Sequence, residues 1–169
     1  MPSVVSNSTP LIYLAKIGKL DLLKLIFGEV LIPQEVLTEV VKKGKMLGRK
    51  DAYIVENAIV QGWIRVVEAD PFEIPIELDK GEEEVLSLAK QLKIEIVLID
   101  EISARSAARL LGLTPRGTLF VLLMSLKEKF IAFDEFLQAL DQLIEQGFRL
   151  KEEVYVEAIK EATRIAKSS

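Results

Sequence analysis

The chain has 169 residues, half of them hydrophobic and 28% charged, a balance typical of one globular domain with a full core. Its formal net charge of -4 predicts no strongly basic surface, although a local basic patch stays compatible with it. The chain contains neither cysteine, which excludes thiolate catalysis, nor histidine, the commonest general base and transition-metal ligand. Any catalysis must therefore use carboxylates, lysine, hydroxyls or a metal held by oxygen.

The cellular location of the protein is predicted from its apolar runs and from its N-terminal sequence. No run reaches transmembrane length, and no basic leader precedes an apolar stretch. We therefore expect a cytoplasmic protein with no membrane contact. The many Glu and Lys residues suit a heat-adapted source.

The chain opens with a short apolar strand that runs into a polar turn and then into an apolar helix. The turn consists of Ser6, Asn7, Ser8 and Thr9. We expect Thr9 to be the N-cap and Pro10 to occupy the first helical position, where its missing N–H costs nothing. Ser6, Asn7 and Ser8 then lie at the carboxyl end of a buried strand, where open parallel sheets bind ligands. The alternative is a turn whose polar residues only cap the helix.

Short apolar runs and amphipathic stretches alternate along the rest of the chain. Further strands are predicted at residues 30–32, 63–67 and 94–99, with a short extended piece from Leu113. Helices are predicted at 20–27, 33–43, 79–92, 103–111, 119–126, 133–145 and 151–166, with another that contains Ala52 to Ile59. Residues 42–50 are predicted to form a basic loop that either steers RNA or is only solvated, and 69–78 a surface connection.

This alternation predicts the α/β class, with a parallel sheet between layers of helices as in Rossmann-like folds. The whole chain, 1–169, is interpreted as one domain, with an α/β core over about 1–130 and a C-terminal helical extension over 131–169. The two helices of this extension either close the core or pack against a second copy of the chain.

Acidic residues follow the predicted strands at one edge of this sheet. Asp100 ends an almost unbroken apolar strand and is expected beside Asn7, because parallel strands bring their carboxyl ends to one edge. Glu82 or Glu84, at the start of the preceding helix, can reach the same edge. The position of Glu39 does not follow from the sequence alone. Asp100 is the strongest functional candidate, since a carboxylate that ends a buried strand must find a partner.

Converging carboxylates repel one another, and either protonation or a hard cation relieves that repulsion. Oxygen ligands without histidine favour Mg²⁺ or Mn²⁺ over zinc. The corresponding chemistry is metal-assisted phosphodiester hydrolysis. The plainer interpretations are a solvated helix face for Glu39 and favourable helix-dipole charges for Glu82 and Glu84. Arg105 is interpreted either as a phosphate contact or, preferably, as a salt bridge to the same acids.

Five stretches together resemble the PIN-like domain family, in particular an archaeal and bacterial subgroup of predicted nucleic-acid-binding proteins. They are residues 5–12, 32–36 with Glu39, 81–84 with Ala89, 98–101 with 104–105 and 112–113, and 117–118. The resemblance implies the PIN fold and an acidic Mg²⁺ or Mn²⁺ site that cleaves single-stranded RNA. It also implies a toxin role beside an antitoxin protein, and a homodimer.

The resemblance assigns the four acid positions of the family to residues of this chain. They match Asn7, Glu39, either Glu82 or Glu84, and Asp100. The carboxylates are the candidate catalytic residues, and Asn7, Glu39, Glu82 and Asp100 are the candidate metal ligands. Asn7 departs from the pattern, because an amide oxygen brings no charge and lowers the affinity for a metal.

Two assignments stay open at this point. Glu82 is closer to the helix start, and Glu84 can instead hydrogen-bond the opening turn. Ser6, Ser8 and Thr9 either cap the helix or hydrogen-bond water at the metal, and with Arg105 they are the candidate substrate contacts. The alternative function is a catalytically impaired PIN-like module that binds RNA or protein, or a dimeric scaffold.

Overall fold

The computed structural model describes residues 3–168, and five short strands in this range form one parallel sheet. The strands are β1 (Val4–Ser6), β2 (Val30–Ile32), β3 (Ile64–Val66), β4 (Ile96–Leu98) and β5 (Thr114–Arg116). Their order across the sheet is β3-β2-β1-β4-β5, with every neighbouring pair parallel. The predicted α/β class and parallel sheet are confirmed. Because the chain reverses its direction across the sheet between β1 and β4, the topological switch point lies between these two strands.

Helices connect the strands and cover both faces of the sheet. They are α1 (Ser8–Lys16), α2 (Asp21–Phe27), α3 (Gln34–Leu37), a π-helical segment (Thr38–Lys42), α4 (Lys43–Met46), α5 (Lys50–Gln61), α6 (Lys80–Leu92), α7 (Ile102–Leu110), α8 (Thr118–Lys127), α9 (Phe133–Glu145) and α10 (Glu152–Lys167).

The core lies on both faces of the two central strands. Val4, Val5, Val97 and Leu98 are fully buried, as apolar and β-branched residues of a doubly covered parallel strand should be. The helices α9 and α10 pack on α8 and bury their apolar stripes there, so the C-terminal extension closes the core. Among residues 3–168, no helix combines the length and apolar character needed to span a bilayer.

The start of α1 differs from the prediction. The helix begins at Ser8, with Asn7 as its N-cap in extended conformation, and Thr9 lies inside the first turn. The cause is the pairing of β1 with β4, because the Asn7 N–H donates to the Leu98 carbonyl at 2.9 Å and keeps Asn7 extended. Pro10 remains in the first turn, where its missing N–H still costs nothing.

The predicted basic loop at residues 42–50 is also mostly helical. The helix of residues 34–46 runs through Gly44, and only residues 47–49 lie outside the helices, with Gly48 at φ +69°. Gly44 is buried where the helix crosses α5, and a Cβ there would lie 2.7 Å from the Cβ of Ala52. This glycine therefore serves close helix packing rather than helix termination, which sequence alone does not distinguish.

Candidate active site

The site lies at the carboxyl edge of β1 and β4, beside the switch point. Asn7 directly follows β1, and Asp100 follows β4 by two residues. Strand-like pairing continues beyond β4, because the Ile99 N–H donates to the Arg116 carbonyl at 2.8 Å. Backbone hydrogen bonds therefore hold the segments that carry both side chains in fixed positions at the edge where open parallel sheets bind ligands.

The turn after β1 presents one amide and one hydroxyl to the site. Asn7 is only 6% exposed. The Ser8 hydroxyl donates to Oε2 of Glu39 at 3.1 Å, which ties α1 to the π-helical segment. Ser6 is fully buried, and its hydroxyl donates to the Asn7 carbonyl at 2.9 Å. Among the predicted substrate contacts of this turn, Ser6 is thus engaged by the backbone, while Thr9 lines a cavity that also contains Asp100.

Glu39 lies on the π-helical segment, whose wider turn is a feature often found at functional sites. Its Oε1 would lie only 2.7 Å from a Cβ at Gly81, so the missing side chain of Gly81 gives this carboxylate its space. Burial raises the pKa of Glu39, and the charges of Asp79 and Glu35 raise it further. Glu39 thus reaches the start of α6, a placement that the sequence did not predict.

Asp79 and Glu82 form a capping box at the N-terminus of α6. The Glu82 N–H donates to Oδ1 of Asp79 at 2.8 Å, and the Asp79 N–H donates to Oε1 of Glu82 at 3.1 Å. Glu82 is only 6% exposed. Burial raises its pKa, and the charges of Asp79, Glu101 and Glu39 add to that rise. The capping box accordingly holds Glu82 among other acids.

Glu84 lies two residues further along α6, on a different side of the helix, and has a different partner. Its Oε1 accepts a hydrogen bond from the backbone N–H of Glu35 at 3.1 Å, at the start of α3. The expected alternative contact with the turn after β1 is therefore not the one observed. Glu84 holds the N-terminus of α3 against α6, and this role separates it from Glu82.

Asp100 is held by the N-terminus of α8. The backbone N–H of Thr118 donates to Oδ1 at 2.9 Å, and the Thr118 hydroxyl donates to Oδ2 at 2.7 Å. A Cβ at Gly117 would lie 2.6 Å from Oδ1, so glycine is required for this approach. Burial raises the pKa of Asp100, against the opposing effect of the two Thr118 bonds and the positive charge of Arg105.

The preferred salt bridge of Arg105 is not present. Its Nη1 donates to the Ile99 carbonyl at 3.1 Å, and among residues 3–168 it has no carboxylate within 4.0 Å. Asp100, whose two oxygens accept from Thr118, lies beyond 4.0 Å from the guanidinium and interacts with it through charge alone. Burial lowers the pKa of Arg105, and the neighbouring charges of Arg109 and Arg116 lower it further.

Three acids at this edge lack a cationic partner. In the described part of the chain, Glu39, Glu82 and Asp100 form no ion pair with Lys or Arg within 4.0 Å. Within the same range, no three acidic side chains are grouped closely enough to hold a metal by themselves.

The donors nevertheless fit a hard divalent cation in kind. Oxygens of Glu39, Asn7 and Asp79 border one space above Gly81, at 2.7, 3.5 and 3.5 Å from the position of its absent Cβ. Carboxylate and amide oxygens are ligands that Mg²⁺ and Mn²⁺ accept. The uncharged Asn7 makes this donor set a weak one.

Sequence reasoning missed two residues of the site. Asp79 belongs to the pattern Asp-x-x-Glu before an apolar helix, which is the signature of a capping box and could have identified it. Thr118 belongs to a Gly-Thr pair that was interpreted as a helix start, without a partner for its hydroxyl. Its contact with Asp100 spans two strands of the sheet and carries no local signal.

Comparisons with known proteins agree with this architecture. The model of a family described as a PIN domain matches residues 3–164. A solved structure of a PilT N-terminus domain protein from the hyperthermophilic archaeon Sulfolobus solfataricus P2 is similar with a TM-score of 0.50 and 18% identity. The alignment covers 74% of this chain and 93% of that chain, and at this identity the likeness concerns the fold alone. The search of curated proteins gave no match.

Proposed function

The chain belongs to the PIN-domain family, and on that premise we propose that it is a divalent-metal-dependent endoribonuclease that hydrolyses single-stranded RNA. PIN domains are generally nucleases and typically use divalent metals. The observation that carries the proposal is the set of buried and half-buried acids that form no ion pair at the carboxyl edge of β1 and β4. Buried acids of this kind require either protons or an added cation.

Glu39 and Asn7, whose oxygens border the space above Gly81, would hold the cation, and Glu82 and Asp100 would add negative charge at the same sheet edge. When bound, Mg²⁺ or Mn²⁺ supplies a Lewis acid that activates water and stabilises negative charge on the phosphate. Glu82 is preferred over Glu84 as the third acid, because Glu84 already serves the N-terminus of α3.

The chain's own groups supply orientation and a proton acceptor. Thr118 fixes the carboxylate of Asp100 with two donors, and Ser8 fixes one oxygen of Glu39. The raised pKa of Glu39 makes its carboxylate a better proton acceptor for water than an ordinary glutamate. Thr9 would contact the substrate, a role supported by its position in the lining of the cavity that also contains Asp100.

A second candidate is a PIN-like module that binds RNA but cleaves it poorly. The observation that favours it is Asn7, which lowers the charge available to hold a cation. The antitoxin partner and the homodimer stay predictions.

The test is a calorimetric titration of Mn²⁺ into the purified protein and three variants. Asn7→Asp should tighten Mn²⁺ binding by about tenfold, because it adds a charge beside Glu39. Asp100→Asn should weaken binding, while its amide still pairs with both Thr118 groups. Asn57→Asp is the matched control, since the same change on the exposed face of α5 should leave binding unaltered.

The same proteins are then incubated with a labelled single-stranded RNA and Mn²⁺. Cleavage that increases in Asn7→Asp and is lost in Asp100→Asn supports the nuclease. An absence of Mn²⁺ binding in both the natural protein and Asn7→Asp would overturn it. Mn²⁺ binding without cleavage in either protein would favour the RNA-binding module.

A further inference from the structure

The arginines of this acidic protein divide into a paired and an unpaired group. Arg49, Arg65 and Arg164 form ion pairs with Asp51, Glu29 and Glu161. The other arginines, Arg105, Arg109, Arg116 and Arg149, have no carboxylate within 4.0 Å among residues 3–168. Four guanidinium groups without an ion pair on a chain with a net charge of -4 indicate a surface that is kept positive.

Three of these unpaired arginines lie around one cleft beside Asp100. Arg105, Arg116 and Arg149 line a cavity of about 630 Å³ that also contains Asp100. It adjoins a second cavity, of about 820 Å³, which shares Asp100 and Arg149. Arg109 adds to the same field, as its charge lowers the pKa of Arg105. We name these two joined cavities the arginine cleft.

Aromatic rings form part of the walls of the arginine cleft. The guanidinium of Arg116 lies 5.1 Å from the ring centroid of Phe120. Phe148, in the loop between α9 and α10, packs edge-on against Tyr13 with ring centroids 5.2 Å apart. The C-terminal extension thus contributes Phe148 and Arg149 to a cleft that opens at the candidate active site.

We propose that the arginine cleft binds the backbone of single-stranded RNA and leads it to Asp100, with Arg149 and Arg116 as phosphate contacts. The inference rests on the proposed function for its substrate class. Unpaired guanidinium groups match phosphates in charge and geometry. Adjacent aromatic rings offer stacking surfaces for unpaired bases, which a protein partner or a free anion does not need. Arg149 is exposed and has no hydrogen-bond partner in the described residues, so it is free to reach a phosphate.

The test measures RNA binding without metal, so that it does not depend on catalysis. A short fluorescein-labelled oligouridine is titrated with protein in EDTA and followed by fluorescence anisotropy at several salt concentrations. Arg149→Ala should raise Kd about fivefold and reduce the slope of log affinity against log salt by about 0.7, as for one lost phosphate contact. Arg116→Ala should act similarly, and Arg116→Lys should restore most of the affinity.

The control is Arg65→Ala on β3, at the opposite edge of the sheet. It removes the same charge and should change Kd less than twofold. Failure of the natural protein to bind, or equal Kd values for Arg149→Ala and Arg65→Ala, would overturn the proposal. Displacement of the RNA by polyglutamate as effectively as by unlabelled oligouridine would also overturn it, and would indicate an acidic protein partner.

This outcome is separable from that of the proposed nuclease. Arginine-dependent RNA binding with no Mn²⁺ binding would support the proposed role of the arginine cleft and overturn the proposed metal-dependent nuclease. Conversely, Mn²⁺-dependent cleavage with wild-type KM in Arg149→Ala and Arg116→Ala would support the nuclease and overturn the proposed RNA-binding role of the arginine cleft.

Discussion

Two groups of acidic residues at the same sheet edge differ in how the surrounding protein acts on their negative charges. At the Asp100 corner, which comprises Asp100, Thr118 and Arg105, the carboxylate receives two hydrogen bonds and has a positive charge nearby. At the Glu39 corner, which comprises Glu39, Asp79, Gly81 and Glu82, burial raises the pKa of Glu39 and Glu82, and neighbouring acids raise it further.

We infer that the hydrogen bonds of the Asp100 corner serve the fold, whereas the acids of the Glu39 corner serve cation binding. Asp100 sits on a pre-organised donor pair, which with the charge of Arg105 offsets part of the rise in its pKa that burial causes. Glu39 is half-buried and Glu82 is buried, each beside like charges, and each ionised form gains one hydrogen bond, from Ser8 and from the Asp79 N–H, that does not offset burial. The free energy released by a bound cation should therefore come mainly from the Glu39 corner, while the Asp100 corner adds a fixed negative charge at the same edge.

The largest expected effect comes from removing the Thr118 hydroxyl, one of the two donors to Asp100. Thr118→Val keeps the shape of the buried side chain but leaves Oδ2 of Asp100 without its 2.7 Å donor. We expect a loss of roughly 2–3 kcal/mol in the free energy of unfolding, because the bond is charge-assisted and buried. Urea denaturation followed by circular dichroism measures it.

Thr118→Ser is the matched control, since it retains the hydroxyl and should cost far less. Equal losses in Thr118→Val and Thr118→Ser would show that packing of the methyl group, and not the hydrogen bond, stabilises the Asp100 corner.

A smaller effect should follow from filling the space above Gly81. In Gly81→Ala the new Cβ would lie 2.7 Å from Oε1 of Glu39, and that flexible side chain must move away. Stability should change by less than about 1 kcal/mol, because a glycine within a helix gains from replacement by alanine. Mn²⁺ affinity should fall about tenfold, since ligand positions depend on such supporting contacts. Thermal unfolding and calorimetry, applied to the same samples, measure the two quantities.

Unchanged Mn²⁺ affinity in a folded Gly81→Ala protein would place the cation away from the Glu39 corner. The comparison would then reverse, with the Asp100 corner as the main binding region.

Local patterns were sufficient to predict most of the fold. The strand 30–32 and the helix 133–145 were predicted with the bounds that β2 and α9 have, because short apolar runs and a broad apolar stripe identify them. The errors occurred where tertiary contacts override local signals. Pairing with β4 keeps Asn7 extended and moves the start of α1, and packing on Ala52 allows the helix to continue through Gly44.

The site was less accessible to sequence reasoning. The meeting of Asn7 and Asp100 at one edge follows from parallel topology alone. The reach of Glu39 depends on a widened helical turn and on the missing side chain of Gly81, neither of which has a periodic signature. The predicted salt bridge of Arg105 is not formed, because its Nη1 donates to the Ile99 carbonyl, a contact that has no sequence signature.

The smallest expected effect concerns the charge of Glu82. Glu82→Gln keeps an oxygen that accepts from the Asp79 N–H but removes the negative charge. The folded-state pKa of Glu82 lies above its ordinary value of 4.5, so between these two values the folded state binds more protons than the unfolded state. Stability therefore falls as pH rises through that window, and the cost is complete above the folded pKa. At pH 7 without metal, the variant should be more stable by roughly 1 kcal/mol or less.

The pH dependence and a neighbouring control make this small effect decisive. The gain should disappear below about pH 4, where Glu82 is protonated in both states, and saturating Mn²⁺ should reduce it at pH 7 by stabilising the charged form. Glu83→Gln removes the same charge from the same helical turn outside the capping box, and should instead lower stability slightly through the helix dipole. Thermal unfolding across pH distinguishes the two variants. If Glu82→Gln and Glu83→Gln lower stability equally at pH 7, Glu82 acts only as a favourable charge at the helix start. The Glu39 corner then has no unfavourable negative charge for a cation to neutralise.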